Sequence, residues 1–181
     1  MRRRFRFALA LAFCLVPLQC ATLERLSFDD LIVKSTSIVR GKVTASRAVL
    51  SGRDIYTHYS VQVAETLKGN PGGTVDVVVP GGVTGNLRQS IAGAPTLAAG
   101  GEYVLFLWTG KSGVTQVIGF TQGLFALSSD ASGDPVATRS ASRELMLDGS
   151  TGKPVKDEVL VMHLSELRSK VSARLGTGKN N

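Results

Sequence analysis

The sequence predicts a mainly β domain: a barrel of five or six strands with a short helix before it and another after it, or, in the same strand pattern, a β-sandwich. Three observations lead there. Short apolar segments alternate with polar residues at a period of two, as in Tyr59-Ser60-Val61-Gln62-Val63. Clusters of turn residues separate them, as in Lys68-Gly69-Asn70-Pro71-Gly72-Gly73. Helical signals gather near the two ends. About 160 residues follow an N-terminal leader, which suits one domain. A domain near that size buries roughly two-thirds of its unfolded surface and folds without staples.

Residues 1–21 read as a secretory signal peptide. Met1 is followed by Arg2, Arg3, Arg4 and Arg6, then by an apolar run from Phe7 to Leu18 broken only by Pro17, then by the small residues Cys20 and Ala21. The run is about 12 residues, too short to stay in the roughly 30 Å hydrocarbon core as a transmembrane anchor. The mature chain is expected to start between Cys20 and Thr22 and to be periplasmic or extracellular. Cys20 is also the candidate for lipidation. Gln19 stands before it where lipoproteins carry a small residue, so plain cleavage is the expected outcome. Four of the 21 basic residues lie in this leader; the other 17 face 14 acidic residues, a formal +3 spread along the chain. No basic cluster marks a nucleic-acid partner. Cys14 and Cys20 are the only cysteines, so the mature body holds no internal disulfide and no multi-cysteine zinc site.

The first element after the leader is a helix over about Phe28 to Lys34. Ser27 stands at its N-cap and Asp30 three residues on, a carboxylate version of the capping box, with Leu26 and Leu31 as the hydrophobic staple. Ile38 to Thr44 follows as a strand with Val39, Gly41 and Val43 on one face and Arg40, Lys42 and Thr44 on the other. Ser51-Gly52-Arg53-Asp54 is a turn. Ile55 to Leu67 is a second strand, with Tyr59, Val61 and Val63 opposed to His58, Ser60 and Gln62. Thr74 to Val79 is a third, ended by Pro80-Gly81-Gly82. Tyr103 to Trp108 is continuously apolar, the pattern of a strand buried on both faces. Val114 to Phe120 and Leu124 to Leu127 add two more, the first entered through the turn Lys111-Ser112-Gly113. The expected core is Val39, Val43, Tyr59, Val61, Val63, Val77, Val104, Phe106 and Ile118. Trp108 is also assigned to the core, its indole N–H placed to reach a polar partner, with a sugar- or base-stacking surface as the alternative.

Two segments interrupt this rhythm. Gly81 to Gly101 is a loop of about 20 residues, a length that is usually functional or mobile. Residues 128–156, rich in Ser, Gly, Asp and Pro, read as a linker or long excursion around Leu145-Met146-Leu147. The barrel domain is thus 22–127. Residues 157–176 supply an edge strand, Val159 to Met162, and a helix capped by Ser165 with Leu167, Val171 and Leu175 as its apolar stripe. Gly176 stops the helix, and 177–181 is a disordered tail.

Motifs that carry chemistry are absent. There is no G-x-S-x-G elbow and no H-E-x-x-H. His58 and His163 are expected to be ordinary surface or satisfied histidines. Gly149 to Pro154 contains Gly-Lys but lacks the spacer and the hydroxyl residue of a phosphate loop. Asp130, Asp134 and Asp148 sit in loops without the spacing of a calcium loop. No metal and no cofactor is expected, and no catalytic residue is assigned.

Three phrases carry a resemblance: Ile38-Val39-Arg40-Gly41-Lys42-Val43, then Val61-Gln62-Val63-Ala64-Glu65-Thr66-Leu67-Lys68-Gly69, then Gly100-Gly101-Glu102-Tyr103-Val104-Leu105-Phe106-Leu107. In that order they resemble a set of uncharacterised exported bacterial proteins. More distantly they resemble the OB-type barrel of the netrin and tissue-inhibitor-of-metalloproteinases group. There too a strand leads into a Lys-Gly turn, and a later strand opens with a Gly-Glu-Tyr-like phrase. The resemblance covers about Asp30 to Leu127 and implies an OB-like barrel, a fold that binds through one face and its loops. Inhibitors of that group hold zinc through an N-terminal cysteine pinned by disulfides; here Cys20 lies near that place without the pinning cysteines.

The expected function is an exported, non-enzymatic binding or protein-interaction module for a protein or small-molecule ligand. The alternatives are an accessory protein or inhibitor of a secreted protease, and a hydrolase resting on the two histidines. The expected partner face joins the long loop, through Gly81, Gly82, Asn86 and Arg88, to the polar strand face of Arg40, Lys42 and His58. Glycines let a backbone approach closely, and Arg40 with Lys42 is a cation pair that attracts an acidic group.

Overall fold

The computed structural model describes residues 22–177; residues 1–21, on which the leader and Cys20 expectations fall, and residues 178–181 lie outside the described residues. The elements in chain order are β1 (Thr22–Arg25), α1 (Phe28–Lys34), β2 (Ser37–Ser51), β3 (Asp54–Lys68), β4 (Thr74–Pro80), β5 (Gly82–Thr84), β6 (Leu87–Gln89), β7 (Glu102–Thr109), β8 (Thr115–Val117), a 3-10 turn (Phe120–Gly123), β9 (Leu124–Ser129), β10 (Pro135–Arg139), β11 (Leu145–Asp148), β12 (Pro154–Val155), β13 (Leu160–His163) and α2 (Leu164–Thr177). The protein is mainly β, as the period-two pattern requires.

One eight-stranded sheet runs in the order β13-β10-β9-β7-β2-β3-β4-β8, and β7 pairs a second time, with β8. The β4–β8 contact is parallel, through Val77 and Thr115; β7 and β8 are antiparallel. β5 and β6 form a separate hairpin, and β1, β11 and β12 a small sheet. The edge strand expected near Val159 to Met162 is β13, at the end of the large sheet.

Apolar residues on the two faces of this sheet build two cores. Val39, Val61, Val77, Tyr103, Leu105, Leu107 and Val117 point to one side. Ile38, Val104, Phe106 and Phe125 point to the other, where Leu31 and Ile32 of α1 and Leu164, Leu167 and Val171 of α2 cover them. The Phe28, Phe106 and Phe125 rings meet there at centroid distances of 5.5–6.0 Å. Alternate residues of β7 enter alternate cores, which is why Tyr103 to Leu107 is apolar without a break.

The first helix is the one the sequence predicts. Ser27 Oγ accepts from Asp30 N at 3.0 Å, and Asp30 Oδ2 accepts from Ser27 N at 3.1 Å. Its other end is closed from a distance. Lys68 Nζ donates to the carbonyls of Ile32, Val33 and Ser35 at 2.6, 3.0 and 2.6 Å. These include carbonyls that the helix end leaves without an internal partner, and the cation also suits the negative pole of the helix. Gly69 then turns the chain at φ +77°, where a Cβ would stand 2.6 Å from Thr36 O. The Lys-Gly phrase is thus a splint between β3 and α1.

Several expectations need correction. β2 runs on to Ser51 and β3 starts at Asp54, so the two form a long hairpin; a register shift between Val43 and Ala45 marks a bulge in it. Val114 to Phe120 is strand only over Thr115–Val117; Gly119 and Phe120 then adopt φ of 62° and 58° and start the 3-10 turn. The loop from Gly81 to Gly101 contains the β5–β6 hairpin. The stretch read as a linker contains β10, β11 and β12, and β10 lies between β9 and β13 in the main sheet. Thr22–Arg25, polar in sequence, pairs in parallel with β11. Ser165 lies inside the first turn of α2, which begins at Leu164, and Gly176 does not stop the helix, which runs on to Thr177. Val63 and Ile118 are partly buried and Trp108 is exposed, while the other expected core residues are buried. Among the described residues no helix is long and apolar enough to cross a membrane.

Candidate functional site

The candidate site follows from the alternation of β7. Val104, Phe106 and Trp108 share its outer face. Val104 and Phe106 are fully covered, whereas Trp108 is 47% exposed. The core assignment of Trp108 is therefore wrong. Trp108 lies opposite Gln116 of β8 in register. Gly110 makes room for its indole: a Cβ there would stand 2.9 Å from Trp108 Cη2.

Trp108 and Gln116 form the shared wall of two hollows. The larger, about 850 Å³, is lined by Ser51, Tyr56, His58, Val78, Gly110, Lys111, Ser112 and Val114 besides the shared pair. The other, about 310 Å³, is lined by Leu23, Glu24, Leu26, Val117, Ile118, Gly119, Phe120 and Gln122. A third, about 60 Å³, again includes Gln116, with Val78, Pro95 and Phe120. Together they make a groove along the outer side of β8. Its far end carries a backbone outlier. Phe120 is the only non-glycine with positive φ among the described residues. For a bulky side chain this is a genuine outlier, a conformation that costs of order 1–3 kcal/mol and recurs at functional sites.

His58 enters the groove from β3, with Nδ1 2.7 Å from Asp76 Oδ2. The pair resembles a base with its orienting carboxylate. Among the described residues no hydroxyl is hydrogen-bonded to the other ring nitrogen; Ser51 and Ser112 line the same hollow. His163 lies elsewhere, 3.9 Å from Asp130 in a hollow with Asp134, Pro135 and Arg168. Among the described residues no group of three or more His, Cys, Asp or Glu is placed to hold a metal ion.

The residues expected to form one partner face fall into three places. Arg40 Nε is paired with Glu102 Oε1 at 2.7 Å, so its charge is offset. Lys42 is exposed, in register with Glu102 and Gln62. Gln62 is four residues along β3 from His58, about 13 Å. Gly81 and Gly82 lie against the opposite face of β3: Thr57 Oγ1 donates to Gly81 O at 2.7 Å, and a Cβ on Gly82 would meet Thr57, Ala48 and Ile55 side chains. Asn86 is in the hairpin turn, and Arg88 is exposed on β6. Only His58 of this set lines the groove. Tyr56, Trp108, Gln116 and Phe120 were not singled out as site residues. The signal for Trp108 lay in its parity with Phe106, but the sequence does not say where the helical cover stops. No family model matches the chain, and neither does any curated protein or solved structure.

Proposed function

We propose that the protein is an exported, non-enzymatic binding module, that β2, β3, β4, β8 and β7 form an OB-like barrel, and that the groove along β8 holds its ligand. The barrel reading is supported by the cycle of pairings β2–β3–β4–β8–β7–β2, with β4 and β8 parallel and one apolar cluster on the inner faces of all five strands. OB barrels bind on the face of their second and third strands, flanked by the loops after the first and fourth. In this cycle those are β3, β4, the turn at 52–53 and the turn at 110–114. The groove draws Tyr56 and His58 from β3, Val78 from β4, Lys111 and Ser112 from the second turn, and Ser51 from the end of β2 beside the first. Export is supported by the order of basic, apolar and small residues in 1–21.

The observation that carries the reading is the exposed Trp108 at the shared wall of the groove. It is the only tryptophan in the chain, so its emission reports on this place alone. A binding screen of neutral glycans, peptides and single-stranded oligonucleotides on the full-length chain tests it. A true ligand shifts Trp108 emission, and Trp108→Ala weakens its binding by about tenfold, the effect of losing roughly 1.4 kcal/mol. A ligand that binds without moving the emission, and with equal affinity in Trp108→Ala, contradicts the proposal.

A further inference from the structure

The lining of the groove narrows the class of ligand, given that the groove is the binding site. We infer that it takes a neutral oligosaccharide of at least two sugar rings, laid across Trp108. A sugar ring presents a flat face of C–H groups ringed by hydroxyls that both donate and accept. The groove offers the complement of each. Trp108 supplies a broad exposed ring, and Tyr56 and Phe120 line the groove on either side of it. These three rings are free of one another, since the described ring contacts all lie among Phe28, Phe106 and Phe125. Gln116, common to all three hollows, has an acceptor oxygen and two donor hydrogens in one plane. His58, held from behind by Asp76, adds a polar group to the larger hollow, as do Ser51 and Ser112.

Charge argues against the other extended ligands with rings. The lining holds one cation, Lys111, and one carboxylate, Glu24. A nucleic-acid strand is held largely by cations that track its phosphates, and no such track lines this groove. Proline-rich peptides also dock on aromatic grooves, but the centre of this one is an amide. Size argues for more than one ring: two adjoining hollows of about 850 and 310 Å³ each fall within the range of single small-molecule sites, about 300–1,000 Å³. The left-handed φ of Phe120, at the end of the same groove, is an independent mark of the place.

The test is titration of the full-length chain with cellohexaose, chitohexaose and maltohexaose, followed by Trp108 emission and by calorimetry. Decaproline and a single-stranded oligothymidine are run alongside. The expected result is saturable binding of at least one hexasaccharide with a shift in emission, and far weaker binding of its monosaccharide. Calorimetry then shows affinity lowered about tenfold or more in Gln116→Ala and Trp108→Ala, with the fold checked by circular dichroism. If no hexasaccharide binds, the inference is overturned. If decaproline or oligothymidine binds instead and moves the emission, the sugar class falls and the groove remains the site. If a hexasaccharide binds with unchanged emission and full affinity in Trp108→Ala, the groove reading falls as well.

Discussion

The Ser27 hydroxyl and the Asp30 carboxylate close the start of α1 by bonds that span three residues. So local a device is readable from four letters of sequence. Ser27→Ala should cost about 1 kcal/mol at neutral pH. The bond to Ser27, above all, holds the Asp30 carboxyl below its usual pKa of 3.8. A carboxyl whose folded pKa is depressed contributes stability above its unfolded value and loses it as pH falls through the folded one. The stability gap between parent and Ser27→Ala, from urea melts at pH 7 and pH 3, should therefore narrow in acid; a constant gap removes the carboxylate from the argument. The closure at the other end was not readable. Lys68 and Ile32 stand 36 residues apart, and nothing local in Leu67-Lys68-Gly69 names the carbonyls that receive the ammonium. Lys68→Met keeps the stem and removes the three donors. It should cost about 1–3 kcal/mol, the penalty for leaving buried acceptors without partners. A loss below a few tenths in denaturant melts means the splint does nothing for the fold.

At the scale of elements, β7 shows both what patterning delivers and where it stops. Its unbroken apolar run announces a strand covered on both faces, and the two clusters beside it bear this out. The run does not say where the cover ends, and Trp108 lies one step past it. Phe106 and Trp108 share a face and differ in burial, so their truncations should differ sharply. Phe106→Ala should cost about 3–5 kcal/mol, the transfer-plus-cavity loss of a buried ring. Trp108→Ala should cost about 1 kcal/mol or less, as substitutions at exposed positions do. Similar losses in denaturant melts contradict the assignment of Trp108 to the groove. The elements that sequence reading missed are short. β5, β6 and β8 have three residues each, and β12 has two, too few for a period of two to register. β10 is hidden by its approach: Asp130 accepts from Ser132 N and Asp134 N in a tight turn, and that polar turn made the whole stretch look like a linker. β1 has no apolar alternation and is ordered by pairing with β11, more than a hundred residues away.

At the scale of the whole molecule, the mainly β class and the two flanking helices were legible, because both rest on periodicity within one segment. The joining of β7 to β8, and of β8 to β4, was not, since no local pattern records which strands meet. The same holds for the site: the groove is made where β3, β4, β7, β8 and the 3-10 turn converge, and its residues are scattered from Leu23 to Gln122. Barrel closure has a direct check. Val77 and Thr115 are register partners on adjoining strands, about 4.8 Å apart, within the roughly 4.4–6.8 Å that a disulfide bridges. The double variant Val77→Cys, Thr115→Cys should cross-link under mild oxidation; a pair that stays reduced in the folded protein favours two separate sheets. The central claim is that Trp108 is the open wall of a binding groove, and acrylamide quenching of its emission tests that claim most directly. The account predicts red-shifted, readily quenched emission in the free protein and protection once a ligand is bound. Blue-shifted emission that acrylamide hardly reaches in the free protein would place Trp108 in the core and contradict it.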